Sequence, residues 1–253
     1  MNLKLYNGDC KELMKLIPDK SVDMILCDLP YGTLSCKWDT VIPFDVLWKQ
    51  YNRIIKDNSA VVLFGSEPFS SKLRMSNLKD YKYDLYWDKK IPSGMCNAKI
   101  QPMRQIETIS VFIKGKSFYY PQMIKRDVPI TSGGMTGSRS AGAKGLVRLD
   151  TKVYTEKYPT TLLSFDKVRK GSLHPTQKPT DLLEYLIKTY SKEGDVVLDN
   201  CMGSGSTGVA CLTLNRKFIG IELNKKYYDI AKDRLREIRF NTLNKNGKRD
   251  KED

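Results

Sequence analysis

Val196-Val197-Leu198-Asp199-Asn200-Cys201-Met202-Gly203-Ser204-Gly205-Ser206-Thr207-Gly208 is the stretch whose reading decides the fold. Val196 to Leu198 is a short apolar run that reads as a buried strand ending in Asp199. An apolar helix follows from Val209 to Leu214. Between them a Gly-x-Gly turn lets the backbone pass close to a ligand beside the N-terminus of that helix. Phe218 to Ile221 is the next strand, and it ends at Glu222, where an acid can accept both hydroxyls of a ribose. No Gly-Lys-Ser/Thr follows the turn, so it is not a phosphate P-loop, and with only Gly203 and Gly205 counted the third glycine of the dinucleotide fingerprint is expected to be absent. A nucleoside cofactor without a pyrophosphate is the expected ligand.

Asp28-Leu29-Pro30-Tyr31 is the second decisive stretch. It follows the apolar run Val22 to Cys27, a second buried strand, and Pro30 stops regular pairing. Asp28 and Tyr31 are then displayed at the carboxyl edge of the sheet, where open α/β sheets bind ligands. A carboxylate and a backbone carbonyl can accept two N–H bonds from a flat ring bearing an amino group, and the Tyr ring can stack on its face. Read alone, the four residues fit an ordinary strand-to-loop turn equally well. Gly32 to Pro43 has no period and holds Lys37 and Trp38; a loop of that length beside a site is often functional.

The remainder alternates in the same way. Leu3 to Tyr6 is a strand, Lys11 to Ile17 a short helix, Phe44 to Ile55 an amphipathic helix, and Ala60 to Phe64 a buried strand. Phe69 to Leu78 reads as a helix, with Tyr81 to Trp87 and Glu107 to Lys114 as strands. Ser117 to Tyr158 is polar and basic, cannot supply a core face, and is expected to be mobile. Order returns with Leu173 to Pro179, a restricted loop before a helix from Asp181 to Tyr190. Lys225 to Phe240 is a long helix. The pattern predicts an α/β fold.

The chain has 253 residues, 40% of them hydrophobic, enough for one large domain or a domain with an insertion. Lys and Arg number 43 against 29 Asp and Glu, a formal charge of +14. Such a field favours a polyanion, and without a basic amphipathic helix nucleic acid is preferred over a membrane surface. No run of about 18 apolar residues exists to span a membrane, and the first residues are too polar for a signal peptide. Six scattered cysteines and a single histidine make a zinc site improbable and suit reduced thiols in the cytoplasm.

Together these residues resemble the S-adenosylmethionine-dependent DNA amino-methyltransferases (adenine-N6 and cytosine-N4) in their permuted β order. Asp28-Leu29-Pro30-Tyr31 resembles the catalytic Asp-Pro-Pro-Tyr, and Leu198-Asp199 to Thr207 the cofactor loop. Gly220-Ile221-Glu222-Leu223 with Tyr227-Tyr228 resembles the ribose-binding strand and the helix behind it. His174 to Pro179 and Asn7-Gly8-Asp9-Cys10 resemble two further cofactor-side segments. Two departures stand out: Leu29 replaces the first proline, and Cys201 stands where the family usually has Phe.

The resemblance implies a doubly wound, Rossmann-like methyltransferase sheet with helices on both faces and a small inserted target-recognition region. The expected division is a catalytic half at 1–115, a DNA-binding insertion at 116–172, a cofactor-binding half at 173–240 and a flexible charged tail at 241–253. It implies methyl transfer from S-adenosylmethionine, leaving S-adenosylhomocysteine, to N6 of an adenine flipped out of double-stranded DNA. Cytosine N4 is the alternative target. A non-catalytic, basic nucleic-acid-binding protein with a decayed methyltransferase fold is the alternative of a different class. Asp28, Leu29, Pro30 and Tyr31 are the implied catalytic residues. The implied cofactor residues are Asp9, Cys10, Asp28, Pro30, Thr176, Gln177, Lys178, Asp199, Asn200, Cys201, Gly203, Ser204, Gly205, Ser206, Thr207, Glu222 and Leu223. Lys37, Trp38, Arg126, Arg139, Lys144 and Arg148 are candidate DNA contacts. The family often forms homodimers, serves restriction-modification systems, and needs neither metal nor membrane.

Overall fold

The computed structural model of the chain describes residues 3–33, 39–116, 118–132, 135–136, 147–148, 152–168, 171 and 173–249, with 132, 135–136, 147–148 and 241–249 described by backbone alone. The chain forms two compact units: Met1–Tyr120 with Thr161–Asp253, and Pro121–Thr160.

The larger unit is built on strands β1 (Leu3–Asn7), β2 (Val22–Asp28), β3 (Ile55–Gly65), β4 (Tyr81–Ser93) and β5 (Arg104–Ile113), with β10 (Leu162–Ser164), β11 (Val196–Asp199) and β12 (Lys217–Glu222). They form one eight-stranded sheet in the order β1-β12-β11-β2-β3-β5-β4-β10. From β1 to β3 every neighbouring pair is parallel, and β5 runs antiparallel to both β3 and β4.

The connections fix where a ligand can sit. From β2 the chain crosses through helix α2 (Phe44–Ile54) to β3 on one side, and from β11 through α5 (Ser206–Thr213) to β12 on the other. The two crossovers part between β2 and β11, and such a switch point opens a crevice beyond the carboxyl ends of the strands. Those ends are Asp28 and Asp199.

Two core clusters explain why β2 reads as an unbroken apolar run. Met24 and Leu26 point into the cluster with α4 (Thr180–Tyr190), α5 and α6 (Lys225–Arg249). Ile25 and Cys27 point into the other, with α1 (Cys10–Leu13), α2 and α3 (Phe69–Ser76). A strand buried on both faces has no polar side to display. The sheet is therefore doubly wound with helices on both faces, as expected.

Four local expectations change. The helix expected over Lys11 to Ile17 is α1 followed by a 3₁₀ turn, Met14–Leu16. Ile17 is extended because Pro18 crowds the helical conformation of the residue before it. Ile55 is the first residue of β3 rather than the last of a helix, and Asn58, at φ 65°, kinks the strand where Asn tolerates the left-handed region. The backbone of α6 stays helical to Arg249, past Phe240.

The fourth change concerns Ser117 to Tyr158. Within the smaller unit, β6 (Ile124–Ser132) pairs antiparallel with β9 (Lys152–Lys157), and β7 (Met135–Thr136) pairs with β8 (Val147–Arg148). Every residue of β9 is exposed, so this pairing rests on its backbone ladder and supplies no core face.

Candidate active site

The turn after β11 is held by its own buried acids. Asp199 is 3% exposed; its Oδ2 accepts the Thr207 hydroxyl at 2.7 Å and its Oδ1 accepts the Cys201 N–H at 3.1 Å. One carboxylate thus ties the start of the turn to the first turn of α5. Burial raises its pKa to about 6. Glu222, at the end of β12, accepts the Gly203 N–H at 2.9 Å and the Asn224 N–H at 2.8 Å, and burial raises its pKa as well.

Gly203 (φ 52°) and Gly205 (φ 79°) both occupy the left-handed region. Gly208 completes a Gly-x-Gly-x-x-Gly spacing that the two-glycine reading left out. Its use is packing, since a Cβ there would lie 2.7 Å from the Phe218 ring. Asp9 caps α1 by accepting the Lys11 N–H at 2.9 Å, which sets Cys10 beside the same turn.

Asp28 sits in a network of charges. Its Oδ1 accepts the Tyr31 hydroxyl at 2.6 Å and its Oδ2 accepts the Lys178 ammonium at 2.6 Å. The Tyr31 hydroxyl also lies 3.2 Å from Glu107 Oε1, and Lys178 Nζ lies 2.9 Å from that same oxygen. Burial, opposed by Lys178, raises the Asp28 carboxyl above the usual carboxylate range. Burial works against the Lys178 ammonium, but the two carboxylates outweigh it and raise its pKa. Lys178 Nζ also stands 5.0 Å over the Phe64 ring, a cation–π contact.

The loop after Asp28 is fixed by Asp39, 7% exposed. Its carboxylate accepts the backbone N–H groups of Tyr31, Gly32 and Thr33 at 2.8, 3.1 and 2.7 Å. The Tyr31 ring rests 5.0 Å from that of Phe69, at 30°.

A third segment joins the two turns. The Gln177 side-chain oxygen accepts the Leu173 N–H at 2.9 Å and the Ser204 hydroxyl at 3.3 Å. His174 packs edge-on to Tyr227 with centroids 4.2 Å apart, and its Nδ1 accepts the Thr176 N–H at 3.3 Å. Lys178 then reaches from this segment to Asp28.

All three segments line one cavity of about 580 Å³. Asp9, Cys10, Asp28, Leu29, Pro30, Tyr31, Thr176, Gln177, Lys178, Asp199, Asn200, Cys201, Gly203, Ser204, Ser206, Thr207, Glu222 and Leu223 all lie on its wall. Gly205 does not; it backs onto Ala231 and Leu235 of α6, and a Cβ there would meet Ala231 at 3.0 Å. Asp39, Lys89, Glu107, His174 and Tyr227 also line the cavity; His174 and Tyr227 fall in segments of the resemblance, and Asp39, Lys89 and Glu107 in none. Glu107 had one sequence signal, an acid at the head of the predicted strand Glu107 to Lys114.

Of the candidate DNA contacts, Lys37, Trp38, Arg139 and Lys144 lie outside the described residues. Arg126, on β6, donates to the Glu156 carbonyl at 3.1 Å, and Arg148 lies on β8. Among the described residues no helix is long and apolar enough to cross a membrane, and no His, Cys, Asp and Glu cluster has the form of a metal site.

Known proteins are similar to this chain along most of its length. The type II methyltransferase M.HinfI of Haemophilus influenzae is 30% identical over 271 residues, covering 94% of this chain and 69% of that one. The DNA adenine methyltransferase YhdJ of Escherichia coli (strain K12) is 29% identical, over 91% of this chain and 82% of that protein. Among solved structures, the M1.HpyAVI–SAM complex superposes with a TM-score of 0.62 at 25% identity, covering 92% of this chain and 98% of that one. The cytosine-N4-specific PvuII DNA methyltransferase shares the fold, with a TM-score of 0.65 at 17% identity over 96% of this chain and 93% of that one. The family model described as DNA methylase matches residues 22–233, which takes in the Asp28 turn, the Lys178 segment and the Gly203 loop alike, and the chain belongs to that family.

Proposed function

We propose that the protein transfers a methyl group from S-adenosylmethionine to the exocyclic N6 of adenine in double-stranded DNA, releasing S-adenosylhomocysteine. The observation that carries this reading is the meeting of two turns in one cavity. Asp28 and Tyr31 face it from the end of β2, and Gly203 and Glu222 from the ends of β11 and β12.

The second turn suits a nucleoside. Gly203 presents bare backbone, and a Cβ there would stand 3.5 Å from the His174 ring. Glu222 adds a carboxylate with its backbone-anchored oxygens at the cavity wall. When bound, the cofactor supplies an electrophilic methyl group.

The first turn suits the amino group. Asp28 and the Leu29 carbonyl accept its two N–H bonds and direct the nitrogen lone pair, while Tyr31 stacks on the ring. Positive charge develops on nitrogen as it is alkylated, and a preorganised acceptor for such charge is typically worth about 10²–10³ in rate. The amino group is paired within duplex DNA, so the base must leave the stack to reach Asp28. We assign DNA contact to the Pro121–Thr160 unit, which carries Arg126 and Arg148. Adenine is preferred because position 28 is Asp and because a 29% identical relative is named as an adenine methyltransferase.

The test is methylation of duplex DNA with a tritiated methyl donor, followed by chromatography of the nucleosides. The wild-type protein yields labelled N6-methyladenine. Asp28→Ala yields none yet binds the donor nearly as well by calorimetry. An active Asp28→Ala enzyme sinks the assignment, and labelled N4-methylcytosine moves it to cytosine.

A further inference from the structure

Both oxygens of Asp28 already have donors: the Tyr31 hydroxyl on Oδ1 and the Lys178 ammonium on Oδ2, each at 2.6 Å. A target amino group brings another N–H to the same carboxylate. A carboxylate has about four lone-pair sites, so the incoming N–H shares an oxygen with a resident donor and loosens its hold, and a buried ammonium or hydroxyl that loses part of its acceptor is costly unless a second acceptor is at hand. Glu107 meets that need. Its Oε1 lies 2.9 Å from Lys178 Nζ and 3.2 Å from the Tyr31 hydroxyl, so each donor on Asp28 already has a second acceptor. Glu107 comes from β5, the antiparallel strand, and its side chain is 13% exposed. Three separate elements thus converge on one exchange of hydrogen bonds.

We propose that Glu107 is a positioning residue for methyl transfer: it takes over the Lys178 ammonium and the Tyr31 hydroxyl when the target amino group engages Asp28. The inference rests on the reading of Asp28 as the amino-group acceptor. A short shift of the ammonium from Asp28 toward Glu107 frees the catalytic carboxylate and keeps the cation inside the cluster. The retained cation still opposes the burial that raises the Asp28 carboxyl. A neutral residue at 107 offers the ammonium no comparable alternative, so Lys178 stays on Asp28 and competes with the substrate.

The experiment compares wild type, Glu107→Gln, Glu107→Ala and Lys178→Met, singly and combined, in single-turnover methylation across pH, with donor affinity by calorimetry. Glu107→Gln is close in shape, loses the charge and turns one acceptor oxygen into an N–H donor. The expected result is a rate lower by about tenfold to a hundredfold, the usual scale for a misplaced reacting group, with donor affinity unchanged. Glu107→Ala falls further. Adding Lys178→Met to Glu107→Ala restores part of the rate at the alkaline end of the profile, where Asp28 ionises without the cation that lowers its pKa and the competing donor is gone.

The pH profile carries a separate signature. Asp28 is faced by Lys178 from the turn before α4, Glu107 from β5, Tyr31 from its own loop and Asp199 from β11, with Lys89 of β4 facing Glu107. Glu107 is a like charge that raises Asp28, so its loss moves the acid limb of the rate to lower pH. A rate within twofold of wild type, a parallel loss of donor affinity, or an acid limb unmoved or moved upward overturns the inference. Asp28→Ala is run alongside: if it is active the amino-group reading itself fails, and if it is inactive while Glu107→Gln is unaffected only the role of Glu107 falls.

Discussion

Asp39→Ala is the most informative single substitution, because one side chain there holds three backbone groups. The carboxylate accepts the N–H of Tyr31, Gly32 and Thr33 at 2.8, 3.1 and 2.7 Å, and nothing local in the sequence would otherwise fix that loop. A hydrogen bond to a charged acceptor contributes about 1.5–3 kcal/mol net. Three would sum to well over 4 kcal/mol if none could be replaced. The loop lies at the mouth of the cavity, so water can satisfy freed N–H groups, and a net loss of about 2 kcal/mol is the reasonable scale. At about 2–4 °C per kcal/mol this lowers Tm by about 4–8 °C. The larger consequence is for Tyr31, whose ring and hydroxyl lose their backbone anchor beside Asp28. A displacement on the order of 1 Å costs about 10² in rate. Asp39→Asn should fall between. Its oxygen can keep the Tyr31 and Gly32 bonds, both made to Oδ1, but its amide turns a donor toward the Thr33 N–H. The assay is methyl transfer under single-turnover conditions with a thermal melt of each variant. Asp39→Ala with a rate within threefold of wild type would refute the view that this carboxylate positions Tyr31.

Three further outcomes follow from the geometry. Glu222→Ala removes the acceptor of the Gly203 and Asn224 N–H groups together with the carboxylate at the cavity wall, so donor affinity by calorimetry should fall by about tenfold to a hundredfold; unchanged affinity rejects the ribose role. Gly208→Ala sets a better helix former, favoured by about 1 kcal/mol, against a Cβ 2.7 Å from Phe218 and 2.9 Å from Leu235. Overpacking costs about 1–3 kcal/mol, so Tm should fall, and a rise would show that Phe218 yields freely. His174 is the chain's single histidine, so its imidazole signal in NMR is unambiguous. Burial and then Lys178 lower its pKa from 6.5 to about 4. The unfolded chain binds the extra proton between those values, so this contribution to stability is full above pH 6.5 and lost as pH falls toward 4. A titration midpoint near 6.5 in the folded protein contradicts that environment.

What the sequence made legible was local. Strand, turn and helix around Gly203 occupy consecutive residues, and each carries its own signal: an apolar run, glycines, then a second apolar run. The same holds for Val22 to Tyr31, which is why the two lips of the crevice could be placed before any contact was known. Even Gly208 stands in plain sequence, although its use against Phe218 does not. The β6–β9 pairing was hidden for a different reason. Its basic composition argued against a core correctly, but an exposed antiparallel ladder needs no core face to form.

The residues that escaped are those whose meaning depends on a distant partner. Glu107 meets Tyr31 across 76 positions, and Lys178 meets Asp28 across 150. Lys178 was singled out, but as part of a cofactor-side motif; only the fold shows that its ammonium lies on the carboxylates. A lone Glu in a strand has no interpretation until its burial is known, because an exposed acid and a buried one are written with the same letter. Buried charge needs a partner, and the antiparallel register of β5 against β3, with Gly65 opposite Thr108, brings Glu107 to the end of the sheet where Asp28 closes β2. The chemistry of the site was therefore readable as two short motifs. The frame in which Lys178 is shared between Asp28 and Glu107 is a property of the assembled sheet.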